Sequence, residues 1–475
     1  MKVHKGLLLG ILALAQFMVV LDASIVNVAL PAIMQGLNFS PENLQWIVTA
    51  YTLAFGGFLL FGGRAADLFG RRRIFLIGLV TFTVASMFVG AAQNETMLIV
   101  ARAIQGLAAA FMSPAALSIV LTEFKEGQAR NRALGVWSAV AAGGAAAGLL
   151  FGGLLTQYLG WRWDFFINVP VGIILTILAV KYIPKHKTTL DHNDLDLPGA
   201  VLVTGGLMAL VYAISEAPNW GWGSMTTILW LSGAIALLVG FVFNEARSKH
   251  PLMPLSIFKI RNLTGANLAQ LPITAAMFSM FFFISLYLQE VLGYSPLMTG
   301  LSFLPFTVVI AVTSITLSKY IARTGYKPFM VAGPIIIAFA LFLLSHITVE
   351  GNYLTQVLPG IALLAFGASM SFVSITVAAT SGVPKHESGL ASGLLNTAQQ
   401  IGGALGLAIL SGIAATASTN ALTAGTAVAQ ATVDGYHDAL LVGACFAIFA
   451  ALIAIFVVKQ NKTATPSGEP VIVHG

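Results

Sequence analysis

The sequence predicts an all-α integral membrane protein of about fourteen transmembrane helices, arranged as six, two and six. Three observations predict it. The first is composition: 57% of the 475 residues are hydrophobic and only 9% are charged, with a mean hydropathy of +0.87. Soluble domains carry about 25% charged residues, so this chain has too little polar surface to coat a water-soluble globule. The second is a recurrence of apolar runs of about 20 residues, the length that crosses a bilayer as a helix. They fall at 7–31, 45–63, 74–93, 97–121, 133–157, 163–181, 197–216, 226–244, 265–290, 299–321, 328–348, 354–380, 391–416 and 437–458. The short alternating segments of an outer-membrane barrel are not this pattern. The third is charge partition. Of the 24 Lys and Arg, all but Arg102, inside the fourth span, and Arg162, in a loop on the opposite face, fall on the side of the N-terminus. Positive residues stay on the cytoplasmic side, so both termini are expected there. A wrong span count would mix the two faces from the error onward.

The first span contains "LDASIVNVALPAI", Leu21 to Ile33, with Asp22 about two-thirds of the way through the helix. A carboxylate at that depth costs roughly 2.5–3.5 kcal/mol on insertion scales. Burial disfavours its charge and a neighbouring cation favours it. Such a group suits carriage of a proton between faces, or pairing with a cationic substrate, and the two uses exclude each other. A neutral carboxyl bonded to a backbone carbonyl is the structural alternative. Asn27 lies five residues on, roughly 140° round the helix. It groups with Ser24 and Gln16, so Asp22 and Asn27 are expected to serve different neighbours. Pro31 is expected to loosen the far end of the helix.

The second span offers Tyr51 as a cavity candidate and ends in the turn "GRAADLFGRRR". Gly63 and Gly70 permit close turns there, and Asp67 can cap the next helix or pair with Arg71 and Arg72. The basic cluster either fixes topology or acts as a gate that latches two helix bundles. In the fourth span, "LIVARAIQGLAAA" sets Arg102, Gln105 and Gly106 on one helix face by spacings of three and four. An arginine inside a span is functional by default and needs a partner or water, unless it snorkels from a helix end. In the fifth, Gly144, Gly148 and Gly152 recur every fourth residue, with Gly153 beside them. They make a smooth face that a partner helix can approach closely.

The chain then divides. Residues 1–183 form an N-terminal six-helix bundle, 184–260 a cytoplasmic linker plus two inserted helices, 261–460 a C-terminal six-helix bundle and 461–475 a cytoplasmic tail. The linker is "PKHKTTLDHNDLDLPG", and a short aromatic loop, "SEAPNWGWGSM", joins the inserted pair. A thin internal repeat supports this division: aligning Gly70 with Gly325 matches Arg72 to Lys327, each after the second span of its six, as internal symmetry in a transporter requires. In the ninth span Met277 to Phe283 offers stacking for a flat substrate, or packing against lipid. Glu290 is a second acidic candidate, or a solvated loop residue. In "SGLLNTAQQIGGALG", Asn396, Gln399 and Gln400 are cavity candidates, and the glycines from Gly402 to Gly406 read as helix packing.

Several classes are excluded. The net charge of +6 is spread over loops between apolar spans, so no nucleic-acid partner is expected. Cys445 is the only cysteine, which rules out an intrachain disulfide and a cysteine-based metal site. Lys2, Lys5 and Ala13-Leu14-Ala15 have the look of a signal peptide, but the apolar run continues well past Ala15. No GxxxxGK[ST] phosphate loop is present, and no soluble segment is large enough to bind a nucleotide. No nucleophile–base pair or metal cluster stands out, so no catalytic residue, metal or enzyme activity is expected.

These motifs resemble the major facilitator superfamily, and within it the fourteen-span drug:proton antiporters. "GRAADLFGRRR" is similar to the loop G-x-L-A-D-R-x-G-R-[KR], with Ala65 and Leu68 departing from it. Arg102, Gln105 and Gly106 match R-x-x-Q-G. The glycine run resembles G-x-x-x-G-P-x-x-G-G, with Leu149 in place of the proline. "LDASIVNVALPAI" is nearly a full match to L-D-x-[TS]-I-V-N-V-A-L-P. "WIVTAYTLAF", "WRWDFFINVPVG" and the stretch around Asn396 also look like that family, Asp164 being a departure. The resemblance implies the major facilitator fold and proton-coupled efflux of amphipathic or cationic drugs across the cytoplasmic membrane. It implies small-molecule, proton and lipid partners and no cofactor beyond the proton gradient. Asp22 and Arg102 would serve coupling. A monomer is compatible with the sequence, which does not fix the oligomeric state. Two other readings stay open: a dedicated exporter of an endogenous antibiotic or siderophore, and a non-transporting membrane sensor or scaffold.

Overall fold

The computed structural model describes residues 5–124, 128–184, 196–249, 251–381, 383 and 388–460. Most of the expected linker, 185–195, and the tail 461–475 lie outside the described residues. Within them every regular element is a helix. Hydrocarbon offers no water to backbone groups, and a helix satisfies them internally. The long helices are α1 (Lys5–Leu37), α2 (Trp46–Phe69), α3 (Arg71–Gly90), α4 (Glu95–Glu123), α5 (Gln128–Tyr158), α6 (Asn168–Tyr182), α7 (Leu197–Trp220), α8 (Met225–Arg247), α9 (Arg261–Leu286), α10 (Leu304–Thr324), α11 (Lys327–Leu344), α12 (Leu358–Thr380), α13 (Ser388–Thr423) and α14 (Val428–Phe456). Thirteen segments are long and apolar enough to cross a membrane. The glycine- and alanine-rich α5 is the one long helix outside that set, and with it the expected fourteen are reached.

The helices overrun the hydropathy boundaries. α1 begins at Lys5 and reaches Leu37, about 50 Å at 1.5 Å per residue, against a hydrocarbon core of about 30 Å. Pro31 does not end it. Proline removes one intrahelical bond, that to the carbonyl four residues back, and the helix carries on for six more residues. Two spans are broken instead. A short helical turn, Trp163–Phe166, precedes α6, and another, Pro296–Ser302, precedes α10. Each break lies on the distal face, opposite the N-terminus. Serine and threonine inside the helices bond back to carbonyls one turn earlier, as Thr83 does to Leu79 (2.7 Å) and Ser279 to Ala275 (2.9 Å).

α1 to α6 pack on one another, as do α9 to α14, while the α7–α8 hairpin leans on α2 and α13. A hydroxyl fixes that lean: Thr204 on α7 donates to the Gly57 carbonyl on α2 at 3.1 Å. The apolar core of the second six continues into the distal ends of α1, α2 and α3, through Val28, Ile33, Ile47 and Val89. The core around Leu12, Phe75 and Met112, nearer the N-terminal face, is separate.

The thin internal repeat has a physical counterpart. Gly70 and Gly325 end the second helix of each six with φ of 96° and 87°, a region open to glycine. Arg72 then donates to the Val180 carbonyl at 2.6 Å, and Lys327 to the Ile455 carbonyl at 3.0 Å. Both carbonyls lie in the last turn of the sixth helix of their half, where the helix dipole favours a cation.

Candidate functional site

Five helices converge on one buried polar network. Asp22 projects from α1 and Arg102 from α4, and Nη1 of Arg102 lies 2.6 Å from Oδ2 of Asp22. Gln105 Nε2, one turn along α4, donates to Oδ1 at 2.7 Å, and Asn168 Nδ2 of α6 donates to the same oxygen at 2.9 Å. Arg102 also donates to Gln105 Oε1 (2.7 Å) and through Nε to the Ile47 carbonyl of α2 (3.0 Å). Gln105 donates further to Ser86 Oγ of α3 at 2.7 Å. The guanidinium stacks 4.3 Å from the Tyr51 ring centroid and 5.6 Å from that of Phe165. Asp22 and Gln105 are fully buried and Arg102 is 1% exposed.

The donor pattern fits an ionised carboxylate. Two oxygens receive three N–H donors and face no acceptor, the arrangement of a charge-assisted network. A proton added to Asp22 would meet donors on every side and leave Arg102 without its counter-charge. Removing one partner of such a buried pair costs about 3–5 kcal/mol. The charge of Asp22 therefore matches the three donors gathered on its two oxygens.

The structure brings Asp22, Arg102, Gln105 and Tyr51 together and leaves the other candidates elsewhere. Asn27 bonds back along its own helix, to the Ser24 carbonyl at 3.2 Å. Glu290 is exposed on a π-helical turn, Tyr287–Val291. Asn396 is exposed and bonds to the Ser392 carbonyl at 3.2 Å. Gln399 and Gln400 are half-buried on α13, where Gln400 faces Gly56 of α2. In the Met277–Phe283 stretch Phe281 lies 4.9 Å from Phe306 and Phe283 5.4 Å from Tyr436, while the Phe278 ring covers Gly403. Ser86 and Asn168 were not singled out from the sequence. Asn168 had a signal, an amide in the apolar run "FFINVPVG"; Ser86 had none.

Gly63 lies inside α2 and permits no turn there; the expected turn narrows to Gly70, and the contacts beside it stay within the first half. Arg71 bonds Asp67 at 3.1 Å and reaches Thr122 of α4, and Arg72 reaches α6 as described. The glycines of α5 divide between two neighbours. A methyl group on Gly148 would collide with Ser24 Oγ and sit 2.7 Å from the Leu21 carbonyl; one on Gly152 would sit 2.7 Å from the Ile25 carbonyl. Gly144 meets Val20 and Phe17. Gly153 instead faces the second half, where a methyl group would lie 2.7 Å from the Pro296 carbonyl. Gly106 meets the Tyr51 carbonyl, the close approach that seats α4 on α2.

A second contact between the halves follows from Pro31. Without an N–H at residue 31, the Asn27 carbonyl has no intrahelical partner. Ser285 Oγ of α9 donates to it at 2.6 Å, and Gln289 Nε2 donates to the Val28 carbonyl at 3.0 Å.

The profile of the Major Facilitator Superfamily matches residues 12–407. The chain belongs to that superfamily. It is 41% identical to the puromycin resistance protein of Streptomyces alboniger, over 93% of this chain and 88% of the relative. It is 38% identical to the cephamycin export protein CmcT of Amycolatopsis lactamdurans, over 97% and 93%. Identity to the multidrug resistance protein Stp of Mycobacterium tuberculosis is 35%, over 85% and 74%. Among solved structures, an auto-inhibited POT family peptide transporter superposes with a TM-score of 0.70 at 17% identity, covering 97% of this chain and 98% of that one. A D-xylose–proton symporter gives 0.65 at 14%, covering 96% and 98%. These similarities show the superfamily fold. In this member, a multi-pass membrane protein, Asp22, Arg102 and Asp164 are buried in the first half and Asp196 and Glu245 at the inserted pair, and the halves meet through α1–α9, α2–α13 and α5 with the Pro296–Ser302 turn.

Proposed function

We propose that this chain exports amphipathic or cationic drugs or antibiotics in exchange for protons, by alternating access between two bundles. Residues 1–183 and 261–460 are the bundles, 184–260 the linker and inserted pair, and 461–475 the tail. The chain sits in the cytoplasmic membrane with both termini inside, as its Lys and Arg distribution supports. The distal face is then the external one. The proton gradient supplies the energy, with no cofactor and no enzymatic step.

One observation carries the reading: Asp22, fully buried at the centre of a network that brings three N–H donors to its two oxygens. A proton arriving from outside releases Arg102 and loosens five helices at once. Its departure to the cytoplasm restores the pair. The test is Asp22→Asn in proteoliposomes. Efflux of a cationic dye driven by a pH gradient is expected to fall to background while the protein inserts normally. Efflux at the wild-type rate would remove Asp22 from the coupling.

A narrower reading, a dedicated exporter of one antibiotic, is favoured by relatives named for puromycin and cephamycin. A resistance panel separates the two: protection against a single compound class supports the dedicated exporter, and protection across unrelated cations supports broad efflux.

A further inference from the structure

A second carboxyl lies within the first six helices, outside the network just described. Asp164, in the turn Trp163–Phe166, is fully buried. Its Oδ2 lies 2.5 Å from Thr156 Oγ1 of α5, and its Oδ1 has no hydrogen-bond partner. α1, α3, α5 and α6 pack against this turn. α1 brings Asp22 as its acidic group, α3 has no titratable side chain beyond Arg73, the distal part of α5 brings only the exposed Tyr158, and α6 carries Lys181 and Tyr182 only in its last turn, at the end away from Asp164. The neighbouring Arg162 is turned away, donating to the carbonyls of Gly90 (2.9 Å) and Ala92 (2.6 Å) at the end of α3. The guanidinium of Arg102 is committed to Asp22. With one hydrogen bond and no cation beside it, an ionised Asp164 would carry an unpaired buried charge.

Its position gives a proton there a use. Asp164 stands one helical turn before Asn168, on the distal side, and Asn168 donates to Asp22. Thr156 belongs to the turn of α5 that meets the second half, where Gly153 touches Pro296 and Gln157 accepts from the Leu297 N–H at 3.2 Å. Separating the halves on the distal face therefore uncovers the α5 turn that covers Asp164.

We infer that Asp164 is a proton relay on the external side of Asp22. This rests on the proton-exchange reading above. When the distal face opens, Asp164 passes its proton to the Asp22 carboxylate and its own carboxylate is reprotonated from external water. No bond other than O–H changes. Asp164 is a positioning and relay group, and it touches no substrate.

Two measurements on the full-length reconstituted protein test it. In infrared spectra at neutral pH, wild type is expected to show the carbonyl band of a protonated carboxyl, shifted in D2O and absent in Asp164→Asn. In acid-outside pH jumps with ethidium as the probe, Asp164→Asn is expected to slow efflux about tenfold or more when external protons are scarce. It should return to within about twofold of wild type at the most acidic external pH, where Asp22 is loaded directly. Asp164→Glu should retain the relay. A purely structural defect would not be rescued by acid. An unchanged infrared band, or a uniform rate loss at every pH, overturns the relay. Wild type that moves no ethidium against the gradient, or Asp22→Asn that remains active, overturns the exchange reading instead, and the infrared band still decides the protonation of Asp164.

Discussion

Replacing Ser285 by alanine removes a donor that Pro31 makes necessary. The Asn27 carbonyl cannot bond within α1, and Ser285 Oγ, fully buried, supplies its partner across the interface between the halves at 2.6 Å. Hydrogen bonds between membrane helices average about 0.6 kcal/mol and reach about 1.7. This one lies above the average because its loss strands a carbonyl in hydrocarbon. About 1 kcal/mol is a reasonable magnitude, or roughly a fivefold shift of population toward the state open on the distal face. Spin labels at the exposed Gln35 and Met298, in a Cys445→Ser background, would report it as a distance distribution. The double-mutant cycle is the sharper measurement. Pro31→Ala restores an N–H to the Asn27 carbonyl, so Ser285→Ala should shift the distribution far less in that background. Equal shifts in both backgrounds, or none in either, would refute the idea that the proline creates the contact.

Two further outcomes follow from the geometry. Arg102→Lys keeps the charge but has one ammonium to serve Asp22, Gln105 and the Ile47 carbonyl, which the planar guanidinium reaches together. Transport is expected to fall about a hundredfold, the scale of a misplacement of about 1 Å, with normal insertion; turnover within a few-fold of wild type would show that charge alone suffices. Gly148→Ala places a methyl group against Ser24 Oγ and the Leu21 carbonyl. Overpacking of this kind costs about 1–3 kcal/mol, and a thermal melt in detergent should fall by several degrees. An unchanged melt would mean that α1 and α5 are free to separate at that point.

The spans were legible because hydrocarbon imposes its own composition on whatever crosses it. Their ends were less so. α14 starts at Val428, ahead of the apolar run at 437, because Gln430, Asp434 and their polar neighbours lower the hydropathy of turns that are nonetheless helical. Of the site, sequence gave residue types and helix faces. Asp22 and Arg102 each demanded a partner, yet nothing in either motif states that they pair, since the partner is chosen by how α1 and α4 pack. Glu290 and Asn396 carry the same chemistry as network members and lie exposed. A polar side chain in an apolar helix announces that it has a role but not which neighbour it faces. Pro31 shows the converse. Its effect was readable as a missing bond, while the beneficiary, Ser285, sits 254 residues away in sequence.

α1 joins the two devices. It holds Asp22 in the charged network and, five residues on, the carbonyl that Ser285 clasps; at 1.5 Å per residue the two lie about 7.5 Å apart along the axis. Its face toward α5 is seated on Gly144, Gly148 and Gly152, which offer no side chains to resist sliding. A shift of α1 that follows protonation of Asp22 must therefore reach the Asn27–Ser285 contact. α2 offers a second route, because Arg102 holds its Ile47 carbonyl while its Gly56 lies against Gln400 of α13. Asp22→Asn imitates the protonated state without a gradient. In the spin-labelled protein it should widen the Gln35–Met298 distance in the direction seen for Ser285→Ala, and the combined variant should widen it by less than the sum of the two. Additive shifts would mean that the network and the contact act independently, and that α1 does not transmit between them.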